Sequence, residues 1–384
     1  MAVSTRYFPN LLQQCKRYPV LVRCEFSKGT NDKKKHEEVD KENTKRSIKQ
    51  EEYQNKMHDA QKDRKPNIRV CIIGGGVTPL YTAVLLKQYQ NIKNIHLVDT
   101  RDTVPGAMAS VCHTETYPRI DYFRRKDIKE ALKKVNIVAL MDEMDIGGTS
   151  DTTPRVLFKS AADYVRQMTD KILRFCPNAL VAVFARPVTA MLPMVSEIFR
   201  CSGCFNPDRI IGSVSTYKSQ IEDATAALLN LEREFISIPM AGGADARTVV
   251  PLLSRAFPFN QFTNAQRKTL LQSFRVSDEI TAKHDGPSLS SGTAAAKLII
   301  ALANGLNKSE HVTCAYVRSN TLPICRFFTN EVQLGPEGIK RVLDLPKVSP
   351  AEILMIEHAI PLINEYVDMA VAEVRTEKIR AKTR

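Results

Sequence analysis

The apolar pattern changes character at residue 67. Before it, polar residues dominate; after it, short buried runs alternate with helical stretches. Ile68 to Ile73 (IRVCII) is a continuous, β-branched run of strand length, which predicts a strand buried on both faces. It runs into Gly74-Gly75-Gly76, and the stretch beyond carries Leu80, Ala83, Val84, Leu85 and Leu86 at helical spacing. A second strand, Ile95 to Val98, ends at Asp99, and Ile137 to Leu140 and Leu180 to Phe184 repeat the pattern with helical stretches between. Strand–helix alternation of this kind predicts an α/β fold with a parallel sheet covered on both faces.

From Ile210 onward, strands mix with longer helices. Residues 288–304 read as one helix, with Ala294 to Ala296, Leu298, Ile299, Ile300 and Leu302 on it. The last helix has a start signal: Ser349 at N-cap, Pro350 at N1 and Glu352 at N3 make a capping box. Ile353, Ile356, Ile360, Ile363, Val367 and Val371 follow at spacings of three and four, predicting one apolar stripe. Pro361 should kink this helix.

The N-terminal sixth differs. Residues 1–24 hold Arg6, Lys16, Arg17 and Arg23, with no acid before Glu25 and with Tyr7, Phe8, Leu11 and Leu12 able to form an apolar face. This is the composition of a mitochondrial transit peptide, placing the mature chain in the matrix. Residues 28–65 are mostly Lys, Glu, Asp, Asn and Gln and have almost nothing to bury, so they read as a linker. The predicted division is a leader over 1–27, a charged linker over 28–66, a dinucleotide-type domain over 67–212 and a C-terminal α+β domain over 213–378.

Composition narrows the function. Net charge is +13, and residues 1–67 carry 16 Lys/Arg against 10 Asp/Glu, nearly half the excess. The body has no basic stripe interleaved with aromatics, so nucleic-acid binding is not expected. No apolar run reaches the roughly 20 residues of a membrane helix, and the body is read as soluble. Nine irregularly spaced cysteines predict reduced thiols. Cys201 and Cys204 form a lone C-x-x-C, too few ligands for structural zinc and more simply two thiols near a helix end.

The chemistry-bearing motif is the glycine turn. A strand, a glycine turn and a helix together aim backbone N–H groups and the helix dipole at a phosphate. Gly74 would allow the tight turn and Gly76 the close approach of a pyrophosphate. Asp99, at the end of the next strand, would accept the ribose hydroxyls and disfavour a 2′-phosphate, pointing to NAD. The third glycine of the G-x-G-x-x-G pattern is Pro79 here, so the turn could also serve only to reverse the chain.

From Ile68 to Val374 the chain resembles the mitochondrial-type malate dehydrogenases. IIGGGVTPLYTAVLLK resembles that family's glycine loop and first helix, and CPNALVAVFARPVTAMLPMVSEIF its CPDAxIxIIANPVNSTIPIxAEVF. PGAMASVCHTET, NPDRIIGSVS, IPMAGGADARTVVPLLS, SGTAAAK and the LGPEGI to VSPAE run follow at family spacing. The resemblance implies a Rossmann domain, a C-terminal α+β domain, NAD as cofactor and a homodimer, or a heterodimer with a relative.

The same resemblance exposes departures. The family's catalytic histidine follows a Gly-Gly; here Gly242-Gly243 precede Ala244, and no histidine lies between His113 and His284. The aspartate that fixes the histidine tautomer aligns with Tyr217. Two loop arginines that grip the diacid align with Gly148 and Pro154, and a third with Gln220. The asparagine of ANPVN is Arg186, and two cofactor-contacting positions are Ala161 and Ser291. Residues 141–156 hold Arg155 alone among basic residues, beside Asp142, Glu143, Asp145 and Asp151, which would repel a dianion. Arg155, Lys218 and Arg186 stand close enough in sequence to act as replacements. Three readings follow: a family member without catalysis, acting as a structural or assembly partner; a working NAD-dependent malate or related dehydrogenase; or a module that binds NAD without chemistry. On the first, there is no catalytic residue to name.

Overall fold

In the computed structural model, residues 68–101, 106, 118–143, 154–272 and 289–382 are described. The predicted leader and charged linker lie outside them, as do Asp145, Gly148, Asp151, His113 and His284.

Six strands lie parallel: β1 (Ile68–Gly74), β2 (Ile92–Asp99), β3 (Arg119–Arg124), β4 (Ile137–Leu140), β5 (Leu180–Val183) and β6 (Ile210–Ser213). A small antiparallel pair, β7 (Met240–Gly242) and β8 (Val249–Pro251), stands apart. The main sheet then gains β9 (His311–Arg318), β10 (Phe327–Gly335) and β11 (Gly338–Val342), giving the order β11-β10-β9-β6-β5-β4-β1-β2-β3. Its parallel half is wound 3-2-1-4-5-6, the doubly wound arrangement that the strand–helix alternation predicts. Antiparallel pairing of Gly212 with Tyr316 and Ser213 with Ala315 carries the sheet across the boundary expected at 212.

The helices are α1 (Val77–Leu86), α2 (Ile128–Ala131), α3 (Pro154–Phe175), α4 (Val188–Ser202), α5 (Ser215–Leu229), α6 (Leu289–Leu306) and α7 (Pro350–Lys382), with a further helical run over 264–272. Side chains alternate across a strand, so β1 serves two cores at once. Cys71 and Ile73 join one cluster with Val165 and Met168 of α3 and Ile363 of α7. Val70 and Ile72 join the other, with Leu86 of α1 and Leu298 of α6. α6 is the one described helix long and apolar enough to cross a membrane, but its apolar side chains are largely taken up inside the protein. It packs tightly on α1: a Cβ on Gly292 would come 2.8 Å from the Tyr81 ring.

One strand escapes the sequence pattern and one expectation needs correcting, each for a physical reason. β3 was not foreseen, because RIDYFR is an edge strand in which only Ile120 is buried; charged side chains on an edge hide the alternation and protect the sheet from further pairing. The stripe on α7 does not begin at Ile353, which is 44 % exposed. Its neighbour Glu352 turns inward instead. Its carboxylate accepts the N–H of Ser349 (2.8 Å), completing the capping box, and also the N–H of Ser254 (2.8 Å). Ile356, Ile360, Ile363 and Val367 are buried as expected. The helix runs on as one element through the exposed Pro361.

Burial alone would raise the Glu352 carboxyl, yet the hydrogen bonds from Ser254 and Ser349 hold it below the usual carboxylate range. A depressed carboxylate contributes stability that is complete at neutral pH and lost as pH falls through and below that range. Glu352→Ala should cost about 2 kcal/mol, the sum expected of a lost cap and buried N–H groups left without an acceptor. Urea unfolding at pH 7 checks this. The deficit should shrink as pH falls below about 4, where the native glutamate is itself neutralised.

Candidate functional site

In an open α/β sheet, ligands bind at the carboxyl ends of the strands where the strand order reverses. Here that point lies between β1 and β4. Gly74 ends β1 and is in register with Asp99 at the end of β2. Gly76, at φ +85°, is the N-cap of α1 and adopts a backbone that L side chains avoid. Pro79 is buried in the first turn of α1, and a Cβ on Gly74 would lie 2.9 Å from its ring. Close helix–strand packing is therefore supplied by Gly74 meeting Pro79.

Asp99 is fully buried. Its Oδ1 accepts the N–H of Arg101 (3.1 Å), while Oδ2 has no hydrogen-bond partner among the described residues. A shielded carboxylate oxygen with no donor is costly unless something binds it, and a ribose hydroxyl is a donor of the right kind. The ribose end of the crevice thus fits a dinucleotide.

The phosphate end does not fit one as it stands, because the chain leaving β4 crosses it. The N–H of Gly75 donates to the Asp142 carbonyl (3.2 Å), and the Thr100 hydroxyl donates to the Glu143 carbonyl (3.0 Å). A Cβ on Gly75 would sit 2.2 Å from that Glu143 oxygen, so glycine is demanded by the protein's own backbone. The side chains tie in further elements. Glu143 accepts from Arg101 (2.9 Å) and from Arg125 (3.1 Å), and Arg125 also donates to Gln167 (2.7 Å). Asp142 accepts both the N–H and the Nε–H of Arg186, each at 2.8 Å. Burial pushes the nearby Tyr164 phenol up, and the charges of Asp142 and Glu143 add to the effect.

On the substrate side, Ala244 is 1 % exposed and its N–H donates to the Thr189 hydroxyl (2.9 Å). The preceding turn is tightly held: Gly242 has φ +86°, a Cβ on Gly243 would meet the Thr248 hydroxyl at 2.1 Å, and the Gly243 carbonyl accepts from Thr329 (2.7 Å). Tyr217 packs half-buried against the core. The shielded Gln220 Oε1 has no hydrogen-bond partner among the described residues.

The basic residues near the positions where the resemblance implies guanidiniums are engaged. Arg155 pairs with Glu365 of α7 (3.0 Å), Lys218 with Glu222 and the Ile238 carbonyl, and Arg186 with Asp142. His96 Nδ1 lies 2.5 Å from the Ala131 carbonyl, and His311 and His358 are exposed on β9 and α7. Among the described residues no histidine pairs with a carboxylate. Cys201 and Cys204 flank the end of α4 as exposed free thiols, and no metal-binding group of His, Cys, Asp and Glu is found among the described residues.

Sequence reasoning had singled out Gly74, Gly76 and Asp99, and the fold brings all three to one crevice. It missed Thr100, Arg101 and Arg125. The available signal is the Asp-Glu pair one residue beyond the IVAL strand, at the point where the strand order reverses.

Comparison with known proteins agrees with this fold. Residues 68–212 match the family model described as lactate/malate dehydrogenase, NAD binding domain. The chain is 29 % identical over 304 residues to the mitochondrial malate dehydrogenase of Sus scrofa, covering 77 % of this chain and 88 % of that protein. It is 27 % identical over 318 residues to that of Caenorhabditis elegans, covering 81 % and 91 %. Among solved structures, a Cryptosporidium parvum malate dehydrogenase superposes with a TM-score of 0.69 at 17 % identity, over 80 % of this chain and 99 % of that one. The lactate dehydrogenase of the same organism, solved with lactic acid and nicotinamide adenine dinucleotide, gives 0.67 at 14 % identity, over 79 % and 98 %.

Removing the Asp142 carboxylate should leave the Arg186 N–H and guanidinium without this acceptor. Asp142→Ala is expected to destabilise the protein by about 1 kcal/mol, chiefly because the Arg186 backbone N–H loses this acceptor; the guanidinium contact is open to water and adds little. Chemical denaturation measures it; a change under 0.5 kcal/mol would mean the pair is a surface contact of little weight.

Proposed function

We propose, on the premise that the chain belongs to the lactate/malate dehydrogenase family, that it is a member without dehydrogenase catalysis, acting as a structural or interaction partner. The observation that carries this reading is the buried methyl group of Ala244. It occupies the position after Gly242-Gly243, where the family resemblance implies a histidine. Oxidising a hydroxy acid requires a base to take the hydroxyl proton as hydride leaves, and a methyl group cannot take one. The diacid clamp is absent in the same way. Gln220 and Tyr217 stand at positions where the resemblance implies an arginine and an aspartate, and the nearby cations Arg155, Lys218 and Arg186 already hold carboxylates.

Retention of the sheet, both cores and the glycine turn supports a scaffold kept for its shape. The resemblance further suggests a dimer, of two copies or with an active relative, and a mitochondrial location. The latter accords with relatives that are named as mitochondrial and with the basic, acid-free first 24 residues. A second reading, a nucleotide-binding module without chemistry, is favoured by the unclaimed Oδ2 of Asp99.

Steady-state turnover of oxaloacetate with NADH should fall at least about 100-fold below that of an active relative assayed alongside, the lower bound for losing an acid–base group. Rates within tenfold would end the non-catalytic reading.

A further inference from the structure

We propose that Glu143 is an internal anion that occupies the phosphate side of the dinucleotide crevice and sets how tightly this chain holds any pyrophosphate-bearing nucleotide. The proposal deepens the nucleotide-site reading of Gly74, Gly76 and Asp99, and it stands whether or not the protein turns over a substrate.

The first argument is convergence. Arg101 follows the end of β2, Arg125 opens the turn after β3, and Glu143 follows β4. Three separate elements thus bring two guanidiniums onto one carboxylate, at 2.9 and 3.1 Å. Two guanidiniums each giving one N–H to the same pair of anionic oxygens are what a phosphate also satisfies. The second argument is position. The Glu143 backbone lies over Gly75 at the reversal of strand order, and the Gly75 N–H, a donor that a pyrophosphate would use, is already spent on Asp142. The third is charge. Among the described residues, the guanidiniums of Arg101 and Arg125 are both held by Glu143 and that of Arg186 by Asp142. Neutralising Glu143 removes one negative charge and the carboxylate that Arg101 and Arg125 share.

The contact is also exchangeable. The Arg101 and Arg125 side chains are 48 % and 36 % exposed, and that of Glu143 is 20 % exposed. An ion pair so open to water contributes little to folding, so its loss should be tolerated.

The test is calorimetric titration of the full chain with NAD, and separately with ADP as a probe that carries the pyrophosphate without nicotinamide. Glu143→Gln keeps the side-chain shape and both backbone carbonyl contacts while removing the charge. It should bind both probes at least tenfold more tightly than the unaltered chain. The gain should be lost again in Glu143→Gln combined with Arg101→Ala and Arg125→Ala. Glu143→Ala provides a second route should the glutamine variant fold poorly. Equal or weaker binding by whichever charge-free variant remains folded overturns the proposal. Turnover plays no part in this readout: an active enzyme would end the non-catalytic reading and leave this one standing, and an unchanged affinity would do the reverse.

Discussion

Between β1 and β4 the strand order reverses, and the backbone groups exposed at that reversal have to find partners. In this chain they find them in the two residues that leave β4. The Asp142 carbonyl takes the Gly75 N–H, the Glu143 carbonyl takes the Thr100 hydroxyl, and the two carboxylates take Arg186, Arg101 and Arg125. One dipeptide therefore joins the glycine turn, the ends of β2 and β3 and the segment after β5. Its backbone bonds are as important as its charges, since a polar group shielded without a partner costs more than a typical pair contributes.

This tie alters the electrostatic argument that the sequence invites. Read along the chain, Asp142 and Glu143 are acids in a substrate loop, and they argue against a dianionic substrate by repulsion. In the fold they are the two carboxylates that hold the guanidiniums of Arg101, Arg125 and Arg186, so they engage those cations as well as repel an anion. Arg186 illustrates the difference. As a residue in ARPVT it could hold a carboxylate, and it does hold one, but the carboxylate belongs to Asp142 at 2.8 Å. The chain's large positive net charge is consequently no guide to the field inside the crevice.

Much of the architecture was legible because it depends on local pattern: β-branched runs for β1, β4 and β5, the glycine turn before α1 and the capping box of α7. Gly74 and Asp99 could be paired in advance because a strand–turn–helix–strand unit leaves few alternatives. The unread parts depend on partners distant in sequence. Arg101 meets Glu143 across 42 residues and Arg186 meets Asp142 across 44, and no spacing rule reaches that far. Ile353 was misplaced because Glu352 answers to Ser254, 98 residues away. β3 was missed because an edge strand needs only one buried side chain.

The scaffold and the chemistry make separate demands, so one can persist without the other. Gly242 and Gly243 remain necessary with no histidine after them, because their Cβ positions are blocked by Thr248 at 2.2 and 2.1 Å. Gly75 is likewise required by the Glu143 carbonyl, 2.2 Å from where its Cβ would lie. A dehydrogenase site must leave donors and cations unsatisfied until cofactor and substrate arrive, and that readiness costs stability, since shielded groups wait without partners. In this chain Arg155, Arg186, Lys218, Arg101 and Arg125 all have carboxylate partners. Asp99 Oδ2 and Gln220 Oε1 still lack hydrogen-bond partners among the described residues. Tyr164 and Asn330 likewise keep a shielded polar atom without a hydrogen-bond partner among the described residues, so satisfaction within the fold is incomplete at several places.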